Sequence, residues 1–202
     1  MQPRMIVEQK ITLFTNQYRI YSTDANGQKQ QLIAFAQQKR LALKEKIEFY
    51  SDESKQQKIF QFRAEKVLDI HGRFLVEDPN NQLIGAFKKD FGQSLAVSTW
   101  HILGQNDQPI YTVAENNVTV AVLRRFIGEI PLIGIFAEIA MAFVKYHFAF
   151  KPYGGTEEQG IYQKTTLFRD HYLLSTTDQL TQTVDWRVLM SMAVALDALQ
   201  SR

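Results

Sequence analysis

Arg124, Arg125, Lys145, His147 and Lys151 flank an apolar run made by Phe126, Ile127, Leu132, Ile133, Ile135, Phe136, Ile139 and Phe143. Basic side chains beside aromatic and aliphatic ones suit one chemistry in particular. The cations hold anionic headgroups while the apolar groups enter the acyl boundary. Arg124, Arg125, Lys145 and Lys151 are therefore the candidate lipid-binding residues. Phe126, Ile127, Ile135, Phe136, Ile139 and Phe143 are the candidate contacts to a membrane or a partner. Two readings stay open. In one, the segment is a foot on an anionic phospholipid surface. In the other, its apolar face packs on the protein or joins a homodimer, with the charges solvated; Glu129 and Glu138, which oppose anionic lipid, favour that reading.

Other chemistry finds less support. Lys39, Arg40, Lys44 and Lys46 form a second basic cluster, and Lys44 and Lys46 fall on one face of a strand. Such a pattern is expected to be a strand's solvated face, with Leu41, Leu43 and Ile47 inside. Lys88 and Lys89, next to a turn, are expected to guard a sheet edge. His71, His101, His147 and His171 show no HxH, HxxxH or HxxE spacing, so no metal site is predicted. Asp170 and His171 adjoin, but neighbours on a strand face opposite ways, which argues against a local acid–base pair. The chain has no cysteine, which excludes disulfides, thiolate metal sites, Fe–S clusters and thiol nucleophiles. No P-loop, G-x-S-x-G or G-x-G-x-x-G occurs. No catalytic residue, cofactor or enzymatic activity is expected. With a net charge of +2, nothing marks the whole chain as a nucleic-acid binder.

What elements would position these residues? Residues 5–116 read as strands: short apolar runs broken by turn-rich "SDESKQ", "DPNNQ", "KDFGQ" and "GQNDQP". Asn26-Gly27 is a hairpin signal, and "GRFLVEDPNNQLIGAFKK" reads as a second hairpin. Strands at this spacing without intervening helices predict an antiparallel barrel or sandwich. Residues 118–146 change to helical spacing and are predicted as an inserted helical hairpin, with Pro131 in the first turn of its second helix. "IYQKTTLFRDHYLLSTT" supplies one or two last strands. No signal-peptide core and no charge-free apolar run of about 18 residues is present, so a transmembrane helix is not expected.

The chain closes on "DWRVLMSMAVALDALQSR". Asp185 suits an N-cap, and the helix 185–199 places Trp186, Val188, Leu189, Met190, Met192, Val194, Leu196 and Leu199 in all directions. A helix apolar all round must be buried all round. At 1.5 Å per residue it spans about 22 Å, short of the roughly 30 Å hydrocarbon core. A closed β-barrel would enclose it as a plug, with Ala193, Ala195 and Ala198 allowing close approach. A helix held between two chains of a dimer is the alternative. Trp100 and Trp186 are assigned to the core.

The order "MIVEQKITLF", "YRIYSTDANGQ", "LALKEKIEFYSDESKQQKIFQFRAEK", "HGRFLVEDPNNQLIGAFKKDF" and "DWRVLMSMAVALDALQ" resembles the Tubby C-terminal-like superfamily. Within it, the likeness is to bacterial relatives of the LURP-one-related proteins and phospholipid scramblases, over about residues 5–116 and 160–200. The resemblance implies a closed barrel of about twelve antiparallel strands around a hydrophobic C-terminal helix. Eukaryotic Tubby domains bind phosphoinositide headgroups through basic residues, but no motif here receives those residues. The acylated Cys-rich segment and the acidic calcium-binding stretch of scramblases have no counterpart. The fold class read here is mainly β, with 1–202 as a single domain. The functional expectation is a non-enzymatic, cytoplasmic, lipid-associated module, peripheral at the inner face of the membrane. The alternative is a protein-interaction or scaffold module that uses the apolar hairpin.

Overall fold

A computed structural model describes residues 1–12, 15–39, 46–65, 72–92, 98–115, 147–166 and 170–199. Twelve strands follow one another: β1 (Gln2–Ile11), β2 (Thr15–Thr23), β3 (Lys29–Lys39), β4 (Lys46–Tyr50), β5 (Lys58–Ala64), β6 (Arg73–Glu77), β7 (Leu83–Lys89), β8 (Thr99–Leu103), β9 (Pro109–Glu115), β10 (His147–Pro152), β11 (Gly160–Lys164) and β12 (Asp170–Thr176). Each pairs antiparallel with its neighbour in sequence, and β1 pairs with β12 to close the barrel. Among the described residues two helices follow the strands: α1 (Asp178–Thr183) and α2 (Trp186–Ala198).

Period-two alternation sets the inward face. Tyr18 and Ile20, Phe49 and Ile47, Phe60 and Phe62, Trp100 and Ile102, Phe148 and Phe150 are all buried. Register keeps them level: Phe60 faces Phe49, Phe74 faces Phe87, and Trp100 faces Val113. Inward side chains of all twelve strands join Val188–Met190, Met192–Leu196, Ala198 and Leu199 in one buried cluster. Ser191 is also fully buried. Nine consecutive helical residues, 188–196, are thus hidden from solvent, which covers every direction around the axis.

The hairpin signals are realised. Gly27 takes a positive φ of 77° between β2 and β3, a conformation that glycine adopts without penalty. Asp78 accepts hydrogen bonds from the backbone N–H groups of Asn80 and Gln82, which shapes the turn between β6 and β7. Asp185 caps α2 by accepting from Arg187 N at 2.9 Å.

Two expectations need correction, and one element was not foreseen. Trp186 is not core: it is 46% exposed, because it occupies the first helical position, and its ring meets Phe60 edge-on at 5.7 Å. Lys88 and Lys89 guard no edge, because β7 is paired on both sides by β6 and β8. Helix α1 is an element that the sequence patterns did not predict. Only its Leu180 is buried, so six residues carry too little apolar periodicity to announce it. The predicted helical hairpin at 118–146 lies outside the described residues.

Candidate functional site

The connections between successive strands alternate between the two ends of the barrel, and the two sets differ in the charged residues of their sequences. At one, strands are joined by 24–28, 51–57, 78–82, 104–108 and 153–159, and 177–185 carries α1 and leads into α2. These segments hold nine Asp or Glu and one Lys or Arg, namely Lys55. At the other end the connections are 12–14, 40–45, 65–72, 90–98, 116–146 and 165–169. They hold six acidic residues and seven basic ones, including Arg40, Lys44, Arg124, Arg125 and Lys145. The strand ends there add Lys39, Lys46, Arg73, Lys89 and Lys164 against Glu115 and Asp170. The linear sequence hides this partition, because the chain alternates between the two ends with every strand.

Of the residues predicted to bind lipid, Lys151 is described. It lies on β10 opposite Thr112, and its Nζ is 3.5 Å from Glu158 Oε1. Arg124, Arg125, Lys145, Phe126, Ile127, Ile135, Phe136, Ile139 and Phe143 fall outside the described residues, in the connection between β9 and β10. His147, where that connection re-enters the sheet, is pushed below the usual histidine range by burial, with Glu158 opposing. In the second basic cluster, Lys46 is exposed and pairs with Glu48 at 3.0 Å, as a solvated strand face would. Lys89 lies 5.8 Å from the Phe91 ring and 5.6 Å from the Trp100 ring.

Register brings Arg73, Lys88, His101, Thr112 and Lys151 into one row across β6–β10, on the face away from the core. His101 sits between two partners: its Nε2 is 3.1 Å from Asp90 Oδ2, and its Nδ1 is 3.3 Å from Thr112 Oγ1. Carboxylate, imidazole and hydroxyl in that order form the skeleton of a proton relay. Yet His101 is only 5% exposed, and the Tyr153 ring meets it edge-on at 5.5 Å. The set is closed to a substrate and ties three neighbouring elements of the wall together. Sequence spacing could not reveal it, because its members lie 11 residues apart on different elements.

A groove of about 560 Å³ crosses β12, β1 and β2, lined by Glu8, Lys10, Arg19, Lys29, Asp170 and His171 among others. Glu8 Oε1 receives Lys29 Nζ at 2.7 Å and lies 3.7 Å from His171 Nε2. Arg19 is bound bidentately by Glu53, both contacts at 2.7 Å, and the pairing raises Arg19 and lowers Glu53. Burial lowers His171 more than Glu8 raises it, which favours the neutral imidazole at pH 7. Asp170 and His171 take different partners, as neighbours on a strand should: Lys164 at 2.7 Å and Thr165 Oγ1 at 2.6 Å. An anionic ligand here would have to compete with Glu8 and Glu53 for their cations.

The last polar constellation is internal. Asp197, near the end of α2, accepts from Tyr18 Oη at 2.9 Å and from Tyr172 Oη at 2.8 Å. Gln9 Nε2 donates to Tyr18 Oη at 3.2 Å. Burial raises the Asp197 carboxyl, and the two tyrosine hydrogen bonds oppose the rise. Burial, with the Asp197 charge, also raises both tyrosines, so they stay protonated donors. A signal for this node was present in the sequence: a carboxylate in an otherwise apolar, buried helix requires partners. Its identity needed the barrel, because Tyr18 and Tyr172 meet only across β1.

Among the described residues, no group of three or more His, Asp or Glu could hold a metal ion, and no helix is long and apolar enough to cross a membrane. Comparison with protein families finds a match of residues 32–197 to the LURP-one-related family. No curated protein and no solved structure matches significantly.

Proposed function

We propose, for a chain that belongs to the LURP-one-related family and so to the Tubby-like superfamily, a role as a non-enzymatic module that docks peripherally on an anionic lipid surface. We place it at the cytoplasmic face of the membrane. The observation that carries this reading is the charge partition between the two barrel ends. In sequence, the set of connections that includes the apolar 116–146 holds seven basic residues against six acidic ones, while the other set holds nine acidic residues and Lys55. An anionic surface attracts the first and repels the second, so the molecule would land in one orientation. We read α2 as the plug that fills the interior, so that ligands meet the outer surface and the rims rather than a lumen. Fold kinship alone would not assign this role; the charge distribution is what recommends it.

Co-sedimentation with phosphatidylcholine vesicles, with and without phosphatidylserine, tests the reading. Binding should require the anionic lipid and weaken with salt, since surface charges are screened over about 8 Å at physiological ionic strength. Arg124→Glu with Arg125→Glu should reduce affinity by roughly tenfold or more, at about 1 kcal/mol per basic residue near the surface. Glu157→Lys, at the acidic end, should leave vesicle binding unchanged. Absence of vesicle binding, with a concentration-dependent dimer broken by Phe136→Asp, would replace this reading with the protein-interaction one.

A further inference from the structure

Where β7 ends and β8 begins, the inner wall of the barrel turns from apolar groups to hydrogen-bond donors. Phe87 and Trp100 belong to the core, so alternation places Lys89 and Ser98, two residues away along each strand, on the same inward face. Lys89 is the register partner of Trp100. The backbone N–H of Glu115 donates to Ser98 O at 3.1 Å, which carries the pairing of β8 and β9 through Ser98. Lys89 Nζ stands 5.6 Å from the Trp100 ring and 5.8 Å from the Phe91 ring. A Cβ on Gly72 would meet Phe91 Cε2 at 3.0 Å and Lys89 Cβ at 3.3 Å, so Gly72, Lys89 and Phe91 form one packed rim. Phe91 is 49% exposed, so the rim meets solvent.

Three donors collect here. Among the described residues no carboxylate pairs with Lys89, whose neighbours are the two rings. Trp100 is 1% exposed, and its Nε1 is buried with no hydrogen-bond partner. Ser98 Oγ is buried in the same condition. Burying such groups costs free energy unless an acceptor meets them, and an ammonium and an indole N–H can only donate. The adjacent carboxylates are committed elsewhere. Asp90 turns to the outer face and meets His101 at 3.1 Å, and Glu115 has a partner of its own. The arrangement therefore calls for an acceptor that carries negative charge. One cation with two neutral donors matches a monovalent oxyanion rather than a phosphate monoester, whose charge is about −2 at neutral pH. The rings of Phe74, Phe91 and Trp100 suit an apolar group beside that anion.

We propose that Lys89, Trp100 and Ser98 form a binding site for a small monocarboxylate that carries an apolar substituent. Its carboxylate oxygens accept from Lys89 Nζ, Trp100 Nε1 and Ser98 Oγ, and its substituent lies against the aromatic rim. The site goes beyond membrane docking and does not depend on it, because its ligand is a soluble acid.

The chain has two tryptophans, so Trp186→Phe leaves the indole N–H of Trp100 as a single resonance in a nitrogen-edited NMR spectrum. Titration of the whole chain with phenylacetate or hexanoate should move that resonance downfield and saturate. Phenylacetamide, the neutral counterpart, and inorganic phosphate should leave it in place. Lys89→Gln in the same background should weaken phenylacetate binding by about tenfold or more, as loss of a charged hydrogen bond does. Ser98→Ala should weaken it by a smaller factor. Lys88→Gln removes an equal charge from the outer face and should leave binding unchanged. Absence of a saturable shift overturns the proposal. So does an equal response to phenylacetamide or phosphate, or an equal loss from Lys88→Gln and Lys89→Gln. A shift produced by phosphatidylserine vesicles and by neither soluble acid also overturns it, by assigning these donors to the lipid surface. The soluble titrations contain no vesicles, so their failure is distinct from failure of the membrane reading.

Discussion

Helix α2 is held by different physics at its two ends. At the N-terminal end the hold is a matter of shape: Val188 sits over Gly85, where an added Cβ would approach Val188 Cγ2 to 2.8 Å, and Trp186 meets Phe60 edge-on. The two charges there, Asp185 and Arg187, are bound to each other at 2.7 Å near the surface. At the C-terminal end the hold is polar: one largely buried carboxylate receives two tyrosine hydroxyls from β2 and β12. Those strands flank β1, whereas β7 lies on the opposite side of the barrel. The difference teaches that an apolar stretch of helix is fastened by close contact where it meets glycine. A stretch carrying a buried charge must instead find donors for it, and only certain strands can supply them.

The largest expected effect breaks the first hold. Gly85→Val should destabilise the protein by about 3 kcal/mol, the upper end for overpacking, because strand and helix are both confined. Equilibrium denaturation measures it, and Val188→Ala in the same chain should recover part of the loss. Full stability of Gly85→Val would show that the close approach matters little.

At the other end, Asp197→Ala should cost about 1–3 kcal/mol by stranding two buried hydroxyls. Asp197→Leu combined with Tyr18→Phe and Tyr172→Phe should cost less than Asp197→Ala alone, because no polar group is then left unpaired. If the triple variant is the worse of the two, the node contributes more than mutual satisfaction. A smaller effect, about 1 kcal/mol, is expected for Asp185→Ala through loss of the N-cap.

Acidity separates the same two carboxylates. Arg187 holds Asp185 below its ordinary value of 3.8. The stability from Asp185 is therefore fully present above pH 3.8 and is lost as pH falls through the depressed value. Burial holds Asp197 above 3.8. The folded protein then keeps a proton that the unfolded chain has released, so stability falls as pH rises from 3.8 through the raised value. Chemical denaturation at graded pH should show Asp185→Asn flattening the profile below 3.8 and Asp197→Asn flattening it above. Both variants acting on the same side would remove the contrast between the ends.

Much of the fold was legible because its rules are local. The glycine of Asn26-Gly27, the Asp78 turn and the alternation in β5 each depend on neighbours a few residues away, and the antiparallel β class follows from them, whereas closure and a count of about twelve strands came with the family resemblance. The all-round apolar character of 186–199 required burial, yet it misassigned Trp186, because a helical wheel does not say where a helix leaves the barrel. The site was less legible. The basic and apolar residues at 124–145 were recognised by type, but Asp90, His101 and Thr112 come together only through strand pairing. The fall of nine of ten charged residues of six connections on one sign is likewise invisible until alternate connections are assigned to alternate ends.

By itself the sequence determined the antiparallel strands, their turns and the presence of a final helix that water disfavours, because propensity and periodicity act over a few residues. Only the tertiary structure decided which turns share an end, which tyrosines reach Asp197 and where glycine must face Val188. Those depend on register and closure, and closure sets side by side residues as distant as Tyr18 and Asp197, 179 positions apart.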